Sequence, residues 1–134
     1  MSRHEITRDD VDALLMFLPR FEKPGRKFAR WGEVEKNADG SISLPFPVYD
    51  EDVEEFFSRV GRHGWLDYGY QPEAAARMLE DGEFIERASL EQVRTMLTYC
   101  VRGERFCDGL WESLLAGGQV VALLRRLKAI RERM

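Results

Sequence analysis

A chain of 134 residues suits one compact domain, long enough to hide roughly two thirds of its unfolded surface. Its 44% apolar and 33% charged residues are the composition of a soluble globular protein. A net charge of −4 works against bulk attraction to nucleic acid or an anionic membrane. No apolar run approaches the ~20 residues of a membrane span, and the charged N-terminus has no signal-peptide character, so a cytoplasmic location is expected.

Thr7 is placed to cap a first helix, with Asp10 at the capping-box position and Ile6 and Val11 spaced as a hydrophobic staple. Val11, Leu14, Leu15, Leu18 and Phe21 then recur at helical intervals. Pro19 should end or kink this helix, and Pro24-Gly25 closes the region. Residues 26–49 are the least helical part. Ile42, Leu44, Phe46 and Val48 alternate with Ser43, Pro45, Pro47 and Tyr49 after a turn at Ala38-Asp39-Gly40. Prolines cannot donate to a ladder, so the expectation is an irregular hairpin-like edge segment.

Asp50 opens an acidic helix start, and Val53, Phe56, Phe57 and Val60 form the stripe that follows, with Gly64 as its stop signal. An aromatic connector runs from Trp65 to Tyr70. Pro72 sits at a helix N1 position, with helix from Glu73 to Asp81 until Gly82. Ser89 and Gln92 make a capping box for a helix carrying Leu90, Val93, Met96, Leu97, Cys100 and Val101, ending at Gly103. Another helix is predicted near Glu104 to Ala116, stopped by Gly117-Gly118. The last, near Gln119 to Arg133, carries Val120, Leu123, Leu124, Leu127 and Ile130 on one face. The result is a mainly α single domain of five or six helices with an irregular hairpin near residues 27–49.

The segments also follow a recognisable order. A first helix ends in Leu18-Pro19, and a Trp31-Gly32 segment follows. Pro45-Phe46-Pro47-Val48-Tyr49 then precedes an acidic helix. Further on come Val101-Arg102-Gly103-Glu104-Arg105-Phe106-Cys107-Asp108-Gly109 and, after a glycine pair, Leu123-Leu124-Arg125-Arg126-Leu127. This resembles a bacterial family defined only as a domain of unknown function, number 6508, over most of the chain. The region from Leu97 to Leu127 is its most specific part. The resemblance implies a small, mostly helical protein and brings no activity, cofactor or partner with it.

Arg102 and Arg105, near a helix start, have the chemistry to hold a carboxylate or phosphate through paired N–H bonds. The plainer reading pairs Arg105 with Asp108 at i,i+3 and Arg102 with an acid elsewhere. Cys107 lies on the stripe of Leu110, Trp111 and Leu114, where a thiol acts as a small hydrophobe, and no local histidine offers a base. Cys100 also falls on a core stripe. If both cysteines lay on one helix, ~10 Å along its axis would separate them, too far for a disulfide, so both are read as reduced. With only His4 and His63 besides, they make no zinc spacing, and no metal or cofactor is expected. His63 near a helix end is explained by the helix dipole as readily as by a role as general base.

Trp31, Phe46, Tyr49, Trp65, Tyr68 and Tyr70 concentrate aromatic surface outside the helices, where it either lines a pocket or fills the core. Arg125, Arg126, Lys128, Arg131 and Arg133 stand against Glu132 alone, so residues 119–134 carry +4 and the rest of the chain −8. These cations do not share one face, and no nucleic-acid-binding signature accompanies them. The leading expectation is a small cytoplasmic binding or interaction module. One alternative is an enzyme holding a small anionic substrate on Arg102 and Arg105, with Asp108, Asp67 or His63 as ionisable partner. Another is a weak nucleic-acid binder using the last helix. That helix also offers a stripe that a second copy would cover in a homodimer.

Overall fold

The structure is a computed structural model describing residues 6–31, 35–43, 47–62, 64–105 and 107–134. His4, Leu44, Phe46, His63 and Phe106 lie outside the described residues. Helix α1 (Arg8–Leu15) begins where its capping box demands. The Asp10 N–H donates to Thr7 Oγ1 at 3.2 Å, and the Thr7 N–H donates to Asp10 Oδ2 at 2.8 Å. The single helix expected here divides at Met16-Phe17, and α2 (Leu18–Phe21) takes Pro19 into its first turn. At that position the missing N–H breaks no hydrogen bond, whereas a continuous helix would have held proline in its interior.

The described parts of residues 29–49 form the expected hairpin, in two antiparallel pairs. Strand β1 (Ala29–Trp31) pairs antiparallel with β4 (Pro47–Tyr49), with Ala29 opposite Tyr49 and Trp31 opposite Pro47. Farther out, β2 (Glu35–Lys36) pairs with β3 (Ile42–Ser43). Asp39 closes the tip by accepting the Ser41 N–H at 3.0 Å, and Gly40 supplies the left-handed φ of +89°. Tyr49 faces inward, while Val48 and Ile42 face solvent.

Helix α3 (Glu51–Val60) buries Val53, Phe56, Phe57 and Val60. It ends at Gly61, three residues before the glycine expected to stop it. Helix α4 (Pro72–Glu80) starts on its proline. Gly82 does not end the helical region: Asp81 terminates α4 and caps α5 (Gly82–Arg87), accepting the Phe84 N–H at 3.2 Å. Helix α6 (Leu90–Gly103) carries the predicted Ser89–Gln92 capping box. Helix α7 (Leu110–Ala116) starts six residues later than the sequence suggested, and Gly118, at φ +87°, turns the chain into α8 (Gln119–Arg131).

The described residues therefore hold eight helical segments around one continuous hydrophobic core, a mainly α domain. Helix α8 is its central strut. Val120, Leu123, Leu124 and Leu127 are fully buried, and the helix packs on α1, α5 and α7. The stripe suggested as a surface for a second copy is thus covered by the chain's own helices. Its basic side chains are also engaged. Arg125 pairs with Glu22, Arg131 pairs with Asp12, and Arg126 donates to the Ala88 carbonyl at 2.7 Å. Among the described residues, Lys128 and Arg133 are the two of these five cations that lack such a contact.

Candidate functional site

Between Gly103 and Leu110 the chain makes turns in place of the predicted helix. A side chain at Gly103 would run into Leu110, so this glycine allows α7 to fold back close to the end of α6. Gly109 takes φ +92°, and a Cβ there would lie 2.8 Å from the Trp31 ring. Both glycines serve a tight reversal between two helices.

Glu104 holds that reversal. Its carboxylate accepts the backbone N–H groups of Gly109 and Trp111, each at 2.9 Å, and the Tyr49 hydroxyl at 2.9 Å from both oxygens. An anion thus meets the N–H groups that open α7, where they have no intrahelical acceptor. The Tyr49 oxygen in turn accepts the Glu112 N–H at 3.4 Å. Burial first, and then the Glu104 carboxylate, push the Tyr49 phenol well above its ordinary range, so it stays a hydrogen-bond donor. Trp111 completes the joint, stacking on Phe57 at 4.2 Å and donating from its indole N–H to the Cys100 carbonyl at 2.8 Å.

This joint turns Arg102 and Arg105 toward one cleft of about 480 Å³, lined also by Gly61, Leu66, Tyr70 and Val101. The Arg102 guanidinium lies 5.5 Å from the Tyr68 ring and 5.4 Å from the Tyr70 ring. Among the described residues no carboxylate pairs with either arginine. The expected Arg105–Asp108 pair is absent because it presumed a helix from Glu104 onward, and the i,i+3 geometry does not exist in the turn.

The same turn corrects the placement of Cys107, which is exposed; only Cys100 is buried. Burial pushes the Cys100 thiol up to about 12, so it is an inert core group at neutral pH.

The other candidates fall elsewhere. Trp65 is a buried core residue. Trp31 covers Gly109 and donates its indole N–H to Glu112 at 3.1 Å, outside the cleft lining. Asp108 is exposed and does not line the cleft. Tyr68, 71% exposed, stands at the solvent side of Arg102. Asp67 fixes the aromatic connector to α6: it accepts the Thr95 hydroxyl at 2.8 Å, and its N–H donates to Thr98 Oγ1 at 2.8 Å. Glu104 was missed, while Tyr49 and Tyr70 were named only among aromatics that line a pocket or fill the core. The paired glycines flanking Glu104–Asp108 were the one signal that this stretch is not helical.

The fold and the cleft define a small, mainly helical protein with an arginine-lined groove at a helix-to-helix joint. No helix of the described residues is long and apolar enough to cross a membrane. A family model described as a family of unknown function (DUF6508) matches residues 6–133, and the chain belongs to that family. No curated protein and no solved structure matches it.

Proposed function

We propose that this protein is a binding module whose ligand presents an anionic group to Arg102 and Arg105. The observation that carries this reading is their convergence on one cleft with no carboxylate of the described residues paired to either. Two guanidiniums in one groove match the planar, multi-acceptor geometry of a carboxylate or phosphate. Arg102 meets the rings of Tyr68 and Tyr70 and no acid among the described residues, so its charge is left for a ligand. The two free thiols suit a reducing compartment, so the cytoplasm is the proposed location.

The enzyme alternative needs an acid or base beside these cations. Among the described residues, Asp67 is held by Thr95, Asp108 lies outside the lining, and Glu54 in the adjoining groove has no second uncommitted acid or base beside it in the lining, which supports binding over turnover.

Calorimetric titration with hexanoate, 3-phenylpropionate and inorganic phosphate tests the reading. At least one should bind, and Arg102→Ala and Arg105→Ala should each weaken it about tenfold, the loss expected for a charge-assisted bond. Binding that survives the double substitution in a folded protein, or the absence of binding by all three anions, would overturn it.

A further inference from the structure

A second groove of about 480 Å³ adjoins the first and shares Val101 and Arg105 with it. Phe57 and Trp111 give this groove an apolar floor, and Glu54 and Glu104 are its two carboxylates. Glu104 is committed to Tyr49, Gly109 and Trp111. Glu54 is exposed, and its side chain has no hydrogen bond or ion pair among the described residues. Its neighbours on α3 differ: Glu55 pairs with Arg59, and Asp52 pairs with Arg26. A position in the first turn of α3 suits any acid through the helix dipole. That effect does not require the side chain to line a groove opposite an unpaired arginine. Glu54 and Arg105 line the same groove yet form no ion pair with each other, which leaves space for a ligand's own groups between them.

We propose that the ligand of this continuous cleft is a zwitterion. Its carboxylate meets Arg102 and Arg105, its apolar body lies over Val101 and Trp111, and its ammonium group reaches Glu54. This rests on the anion-binding reading above and adds the chemistry of the ligand's other end. Charge complementarity of this kind selects among ligands that share the same anionic head.

The test compares hexanoate with 6-aminohexanoate, together with the homologous pairs one and two carbons shorter and longer, by calorimetric titration. Wild type, Glu54→Gln and Arg105→Ala are used, with circular dichroism confirming that each is folded. At the best-fitting length, Glu54→Gln should lower the affinity of the amino acid relative to its plain carboxylate by roughly two- to fivefold, the scale of an exposed ion pair. Its affinity for the plain carboxylate should stay unchanged. Arg105→Ala should weaken both members of each pair. If the ratio is the same in wild type and Glu54→Gln at every length, the zwitterion is overturned while the anion site stands. If no carboxylate binds, the zwitterion falls, and the anion reading falls with it when inorganic phosphate does not bind either.

Discussion

Arg26 and Arg102 both lie over two aromatic rings, but only Arg26 also meets carboxylates. Its guanidinium is 5.5 Å from the Phe21 ring and 5.0 Å from the Phe28 ring. It pairs with Asp52 and, at 3.4 Å, with Asp50, and donates to the Arg20 carbonyl at 3.0 Å. It thereby ties the end of α2 to the start of α3. Arg102 has the rings of Tyr68 and Tyr70 and no acid among the described residues. One cation is committed to closing the fold, while the other meets two rings and no acid among the described residues. The contrast separates a structural arginine from a recognition arginine by what its N–H groups find, which residue type alone does not reveal.

The largest expected effect lies at the joint that makes the second kind of site. Glu104→Ala would leave the Tyr49 hydroxyl and the N–H groups of Gly109 and Trp111 without their acceptor. Unpaired donors in a partly buried place cost about 1–3 kcal/mol each, and relaxation toward solvent recovers part, so a loss of about 3 kcal/mol is expected in urea unfolding. Tyr49→Phe should cost about 1 kcal/mol, since Glu104 keeps both backbone donors. If the two substitutions destabilise equally, the hub is Tyr49, and Glu104 does not organise the cleft.

Arg26→Ala comes next, at about 1–2 kcal/mol, because a largely buried cation and its two acids are separated. It should also alter the acid dependence of stability. The Arg26 hydrogen bond, more than its charge alone, holds the Asp52 carboxyl below the ordinary carboxylate range. A group depressed on folding contributes stability that is complete above its unfolded value, near ~4, and is lost as pH falls toward its folded value. Wild type should therefore lose stability below about pH 4 more steeply than Arg26→Ala. Parallel curves would show that this pair is not the acid-sensitive contact.

Much of this was legible in the sequence where the controlling interactions are local. The Thr7 and Ser89 capping boxes, Pro72 at a helix start and the Gly117-Gly118 break each act within a few residues, and each appears as expected. The hairpin was also legible, from alternation and a good turn, despite its prolines. The stretch from Glu104 to Asp108 was not, because its conformation is set by Tyr49, 55 residues away, and by the contact of Gly109 with Trp31. Local pattern favoured helix there, and that error misplaced Cys107 and supplied Arg105 with a partner it does not have. The two arginines themselves were found, since charge and spacing mark them whichever way they pair. Tyr70 and Glu54 as cleft residues depend on how α3, the aromatic connector and α6 pack, which no short motif encodes.

The smallest effect discriminates most sharply. If Arg105 is held for a ligand, removing it should cost the free protein almost nothing. It is exposed and makes no ion pair among the described residues, so Arg105→Ala should change unfolding stability by less than about 0.5 kcal/mol. Arg102→Ala should cost slightly more, about 0.5–1 kcal/mol, through its contacts with Tyr68 and Tyr70. A structural cation behaves as Arg26 does, with its loss visible in the absence of any ligand. A recognition cation shows its loss only in binding. Measuring Arg26→Ala, Arg102→Ala and Arg105→Ala together, by urea unfolding and by anion titration, should give opposite orders in the two experiments. An Arg105→Ala protein as destabilised as Arg26→Ala would place Arg105 in the fold's own ion-pair network and remove it from the site.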